Sequence, residues 1–323
     1  MNPAATLGTY AGALALVFGA AVGVGNAVGP VGTSGADASH GAADGSGGHG
    51  DGHGAGSPAS GEAGDVPGGL AVSQDGYTLQ LARTVQTPGV PGRLQFAIAG
   101  SDGRRVTAFT PEHEKELHLI VVRRDGTGFQ HLHPTRDAQG RWAVPLTLAE
   151  PGPYKVFADF TPAGRDSGLT LAADLTAPGP YAPAPAQPVT RTATVDGYDV
   201  TLTGELVAGQ SSRLTLSVAK GGQPIADLQP YLGAFGHLVA LRDGDLAYLH
   251  VHPDESAAGG GPEMTFYADV PSAATYRLFL DFQHGGVVRT AAFTLAAGTG
   301  PGASAATGDP AVPPAHGSSP HGH

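Results

Sequence analysis

The chain of 323 residues has no cysteine, two methionines and one tryptophan. Without cysteine there is no disulfide framework, no zinc–thiolate cluster, no thiol nucleophile and no lipid-modified cysteine anchor. Met264 is the one methionine beyond Met1, which disfavours a methionine-rich copper(I) site. Charged residues make up 14% of the sequence, the net charge is −11, and no arginine-rich run or basic patch exists to attract nucleic acid. Ser167, Ser211 and Ser212 stand in no nucleophile-elbow context, and no glycine-rich loop follows a strand and opens a helix. The chain therefore reads as a non-enzyme.

Glycine (51), proline (27) and histidine (14) are what the sequence has in quantity. Between Met1 and Ala36 no side chain is charged, and the apolar stretch 7–31 is long enough, at about 1.5 Å per helical residue, to cross a bilayer core of about 30 Å. Residues 1–31 are expected to be a transmembrane helix. A signal peptide cleaved after Gly25-Asn26-Ala27 is the alternative. Either way the rest of the chain is extracytoplasmic, attached to the cell membrane or, after cleavage, secreted. Segment 32–69 is rich in Gly, Ala, Ser, Asp and His and too poor in large apolar residues to offset its chain entropy, so it reads as a disordered linker. The tail 298–323 has the same character. Linker and tail carry His40, His49, His53, His316, His321 and His323, which suit loose metal capture or reflect composition alone.

Between linker and tail the sequence repeats itself. HLIVVRRD at 118–125 and FQHLHP at 129–134 return as HLVALRD at 237–243 and YLHVHP at 248–253, so His118, His131 and His133 recur as His237, His250 and His252, each 119 positions on. YKVFADF at 154–160 returns as YRLFLDF at 276–282, and Asp75-Gly76-Tyr77 as Asp196-Gly197-Tyr198. The chain is thus two copies of one domain, 70–177 and 190–297, joined by the proline-rich stretch 178–189, which should hold them apart or side by side with limited freedom.

Each copy is a run of short alternating segments punctuated by Gly, Pro and Asp, with no sustained helical period. That pattern predicts an all-β fold of two tandem immunoglobulin-like β-sandwiches, each with a tyrosine (Tyr154, Tyr276) at the head of a late strand. Side chains alternate along a strand, so His131 and His133 share a face, as do His250 and His252, while Leu132, Leu249 and Val251 suit the core. Tyr154, Val156, Ala158 and Phe160 form an inward set that leaves Lys155, Phe157 and Asp159 opposite; Asp281 follows the same logic. Each copy then offers three imidazoles and a carboxylate: His118, His131, His133 and Asp159, and His237, His250, His252 and Asp281. This donor set suits copper(II), with zinc or nickel as further fits. The other reading has each histidine in a structural hydrogen bond, with the aspartates orienting imidazoles. His284 offers an extra ligand in the second copy, and His113 has no counterpart.

The strings GFQHLHP and GHLVALRDGDLAYLHVHP, followed by YRLFLDF and RTAAFTL, resemble uncharacterised exported or membrane-anchored proteins of high-G+C bacteria. More distantly the domains are similar to secreted β-sandwich modules of the YtkA-like and copper-resistance CopC-like families. The resemblance implies an extracytoplasmic role in copper or other heavy-metal handling. The expected protein buffers or delivers a divalent metal, copper(II) in the first instance, through one site per repeat. A non-catalytic interaction module of the cell envelope, binding an envelope protein partner, is the competing expectation.

Overall fold

The computed structural model describes residues 67–254 and 261–299. The expected anchor at 1–31, nearly all of the linker and nearly all of the tail lie outside the described residues. Among the described residues every regular element is a strand, and no helix is long and apolar enough to cross a membrane.

The first repeat runs β1 (Ser73–Gln74), β2 (Tyr77–Leu81), β3 (Gly92–Ala99), β4 (Phe109–Thr110), β5 (His118–Arg123), β6 (Gln130–Leu132), β7 (Thr135–Arg136), β8 (Trp142–Leu146), β9 (Gly152–Pro162) and β10 (Leu169–Ala177). The second runs β11 (Thr192–Val195), β12 (Tyr198–Thr203), β13 (Leu206–Val207), β14 (Gln210–Lys220), β15 (Gln223–Pro224), β16 (Gly236–Arg242), β17 (Tyr248–Leu249), β18 (Val251–Pro253), β19 (Glu263–Val270), β20 (Thr275–His284) and β21 (Val287–Gly298). In the first repeat one sheet has the order β1-β2-β3-β8-β7 and the other β10-β9-β5-β6. The second repeat reproduces this as β11-β12-β14-β19-β18 and β13-β21-β20-β16-β17. Along these paths the first repeat has sheets of five and four strands and the second has two of five, and each pair of sheets packs as an immunoglobulin-like sandwich. The tyrosine corner is present in both copies: the Tyr154 hydroxyl donates to the Glu150 carbonyl at 2.8 Å, and Tyr276 to the Ser272 carbonyl at 2.8 Å.

Each sandwich has its own core. Tyr154, Val156, Ala158 and Phe160 line the first together with Trp142, which stacks on Phe96 at 6.2 Å. Strand β12 alternates strictly between buried and exposed positions, as a half-buried strand does. Strand β5, by contrast, is buried at all six positions. A continuous apolar run such as the LIVV at 119–122 marks a strand covered on both faces, and the second cover is the other repeat.

The outer faces of the two second sheets meet in a third apolar cluster of Ile120, Val122, Phe157, Ala172, Val239, Leu241, Leu246 and Phe279, with Phe129 and Tyr248 packed against it. Phe129 stacks on Phe279 with ring centroids 4.0 Å apart, and Phe157 meets Tyr248 at 5.8 Å. Losing one such buried ring costs about 3–5 kcal/mol. The proline-rich joint does not hang free. Ala182 accepts from the Arg123 guanidinium at 2.8 Å, Ala184 donates to Asp125 at 2.9 Å, and Tyr181 lies under Arg123. The repeats therefore sit side by side, sheet against sheet.

Candidate metal centre

Strand β5 places His118 beside Asp159 of β9, and β6 places His131 opposite Ile120. The chain then leaves this sheet at His133-Pro134 and joins the other as β7. The potential ligand atoms of His118, His131 and His133 consequently lie within 4.8 Å of one another. Their ring centroids are 5.3, 5.1 and 4.7 Å apart.

The hydrogen bonds decide which nitrogens face inward. His118 Nε2 lies 3.1 Å from the Glu112 carbonyl, which can only accept, so Nε2 carries the proton and Nδ1 keeps its lone pair. His131 Nδ1 lies 2.7 Å from Asp281 Oδ2, an ion-pairing contact with both side chains about 5% exposed. That nitrogen donates to the carboxylate, so in the neutral ring Nε2 keeps the lone pair. The two lone-pair nitrogens, His118 Nδ1 and His131 Nε2, then face each other at 3.1 Å. His133 Nε2 is buried with no hydrogen-bond partner, while its Nδ1 sits 3.3 Å from the Tyr231 hydroxyl. Three imidazole nitrogens converge, and each ring is oriented through its other nitrogen by a carbonyl, a carboxylate or a phenol. Metal-binding histidines carry this kind of outer support.

Burial favours the neutral form of His118, His133 and His237. Desolvation pushes His118 down to about 3, against a backbone hydrogen bond that works the other way. It takes His133 to about 3 as well, helped by the neighbouring His131 and His118, and His237 to about 4.

The expectation of one site per repeat does not hold in this geometry. The three converging histidines all belong to the first repeat, and the carboxylate behind them, Asp281, belongs to the second. Asp159, expected as the first repeat's ligand, accepts from Thr170 at 2.9 Å and faces the Tyr248 phenol, and burial raises it to about 6. His250 and His252 are exposed, with their rings 4.6 Å apart and His252 4.0 Å from Asp269. The reason lies in the strand exchange. In the second repeat the chain leaves the sheet after Leu249, and β18 is already paired with β19 from Val251. The repeat offset grows from 119 at the histidines to 122 at YRLFLDF, so the connection to β19 holds three extra residues, and pairing with β19 begins earlier.

His237 keeps its counterpart's place. Its Nε2 meets the Tyr231 carbonyl at 2.7 Å, as His118 meets Glu112 at the equivalent position. His284 belongs to a separate pair of contacts, with Tyr198 at 2.7 Å and Asp227 at 3.2 Å. Sequence reasoning missed His113, whose ring stands 5.1 Å from His237 and 6.2 Å from His118, and Tyr231. His113 and Glu114 occupy the two central positions of a tight turn closed by Lys115 N–H to the Glu112 carbonyl, at φ 46° and 63°. The left-handed conformation costs a residue with a Cβ about 1 kcal/mol or more, and the equivalent turn of the second repeat uses Leu232 and Gly233. No conserved-looking spacing points to His113, since its counterpart is a leucine.

No curated protein matches the sequence. Among solved structures the chain is similar to a DUF4426 family protein of Pseudomonas aeruginosa PAO1 (9% identity, TM-score 0.26, covering 33% of this chain and 96% of that one). It is also similar to the Escherichia coli adhesin FdeC (13%, TM-score 0.23, 71% of this chain and 66% of that one) and to Salmonella alpha-2-macroglobulin (17%, TM-score 0.25, 71% and 15%). At these scores and identities nothing of those proteins' roles transfers here. Both repeats match a domain of unknown function, DUF8832, over residues 71–177 and 193–299, and the chain belongs to that family.

Proposed function

We propose that this protein binds a divalent transition-metal ion, copper(II) or zinc, through His118 Nδ1, His131 Nε2 and His133 Nε2, and that it buffers or delivers that ion on the outer side of the cell membrane, anchored by residues 1–31. What carries the reading is the 3.1 Å approach of two imidazole nitrogens whose partner nitrogens are both committed as donors. Two lone pairs at that distance repel unless a positive charge lies between them. Two nitrogens on one tetrahedral ion with bonds of 2.0–2.1 Å stand about 3.3 Å apart. Asp281 and Tyr231 would hold the second and third ligands in place, and a fourth position stays open for water or for the ligand of a receiving partner.

A second reading rests on the His131–Asp281 contact. A proton on His131 Nε2 would make an imidazolium, ion-paired to Asp281 and donating to His118, in a purely structural network of an envelope interaction module. Titration of the full chain with zinc and copper(II), against a variant with His118, His131 and His133 all changed to alanine, separates the two. The metal reading requires one tight equivalent that the variant lacks, over a background from the terminal histidines common to both proteins. Equal uptake by the two proteins would leave the structural reading standing.

A further inference from the structure

Resting on that reading of the three-histidine centre, we infer that His113 and His237 form a second metal subsite beside it, one ligand from each repeat. An imidazole bound to an ion has its ring centroid about 3.2 Å from the metal, so two ligands of one ion have centroids about 5.2 Å apart at a tetrahedral angle and at most about 6.4 Å apart in a line. His118, His131 and His133 fit one ion at 5.3, 5.1 and 4.7 Å. His237 stands 6.2 Å from His118 and 6.1 Å from His131, at the linear limit for both, and does not fit the same ion. With His113, at 5.1 Å, it fits another.

The chemistry of the two rings agrees. His237 Nε2 donates to the Tyr231 carbonyl, so Nδ1 keeps its lone pair. The His113 imidazole makes no hydrogen bond among the described residues, and its turn keeps two non-glycine residues in the left-handed conformation that the second repeat reaches with a glycine. Nothing in the turn itself calls for a histidine. His113 is exposed where His118 and His237 are buried, so the subsite opens toward solvent. Two neutral imidazoles with water completing the shell suit copper(II) or zinc, and an ion there lies next to the buried centre it would load.

The test is copper(II) titration of the full chain followed by electron paramagnetic resonance, comparing the natural protein with His113→Asn. Asparagine tolerates the left-handed turn, so the variant should unfold at the same or a higher temperature without metal. The natural chain should show an isolated copper signal with nitrogen hyperfine structure at the first equivalent. At the second it should add dipolar broadening and a half-field line from two neighbouring ions. His113→Asn should keep the first signal and lose the half-field line. A half-field line that survives in His113→Asn, or one that never forms in a natural chain that fills the first site, overturns the second subsite. A natural chain with no signal from the three-histidine centre overturns the metal reading beneath it.

Discussion

The HLHP of the first repeat and the HVHP of the second are nearly the same four residues on equivalent strands, yet one pair of imidazoles is folded into the seam and the other looks out at solvent. In the first repeat the chain stays on β5 through Leu132 and crosses between sheets at His133-Pro134; in the second it crosses at His250. A short difference in strand pairing thus decides whether a histidine pair lies in the seam or on the surface. The aspartates diverge in step. Asp281 faces His131, while Asp159 faces the phenol of Tyr248, whose counterpart in the first repeat, Phe129, has no hydroxyl.

The largest effect should come from treating the two motifs alike. His131→Ala with His133→Ala should lower affinity for the tight equivalent more than about a hundredfold, and His250→Ala with His252→Ala should leave it within about threefold, both read by competition with a chelator of known affinity. A comparable loss from the second pair would mean that the exposed motif closes onto the site. Next in size, Asp281→Asn should cost about 10- to 100-fold in affinity through loss of the group that orients His131. Asp159→Asn should change it little, which isothermal titration of both variants would show.

Acid should then weaken the metal-free fold. His118, His133 and His237 have folded-state values of about 3, 3 and 4 against 6.5 for a free imidazole, so the unfolded chain takes up protons that the folded chain refuses. Their contribution is intact above about pH 6.5 and is lost as pH falls toward 4 and then 3, at up to about 1.4 kcal/mol per pH unit for each histidine, less for the more accessible His133. Asp159, raised to about 6, works in the opposite direction between there and 3.8. Denaturant melts of metal-free protein at pH 7 and pH 5 should show the fall, and His237→Gln should reduce it. The smallest effect tests the aromatic swap. Phe129→Tyr puts a hydroxyl where it can compete with His131 for Asp281, and should weaken binding about two- to fivefold; unchanged affinity would detach the aspartate difference from the ring difference.

Much of the fold is legible in the sequence. The offset of 119, the turn residues between strands and the inward set Tyr154, Val156, Ala158 and Phe160 follow from period and punctuation. Repeat and alternation single out His118, His131, His133 and Asp281, which the fold brings together. What alternation cannot say is which strand face meets which partner. Alternation sets Phe157 and Asp159 opposite the core without saying that the other repeat covers that face, so Asp281 reads as a partner of its own repeat's histidines. Nor does spacing reveal where a strand changes sheets, which is what exposes His250 and His252. His113 was invisible because a turn residue with a leucine counterpart gives no signal in a repeat comparison.

The seam has one more consequence. Phe129 meets Phe279 and Tyr248 meets Phe157, and these are the same pair of positions with the repeats exchanged. An interface that maps onto itself in this way is what a two-fold symmetric homodimer has across its axis. Joining the copies through residues 178–189 replaces a concentration-dependent association by an intramolecular one, at an effective concentration in the millimolar range for a short linker, so the seam survives dilution. It also lifts the demand of symmetry. Two identical chains would have to keep both histidine pairs alike, whereas two halves of one gene are free to differ, with a phenylalanine on one side, a tyrosine on the other, and one cluster of three converging histidines where a dimer would have carried two.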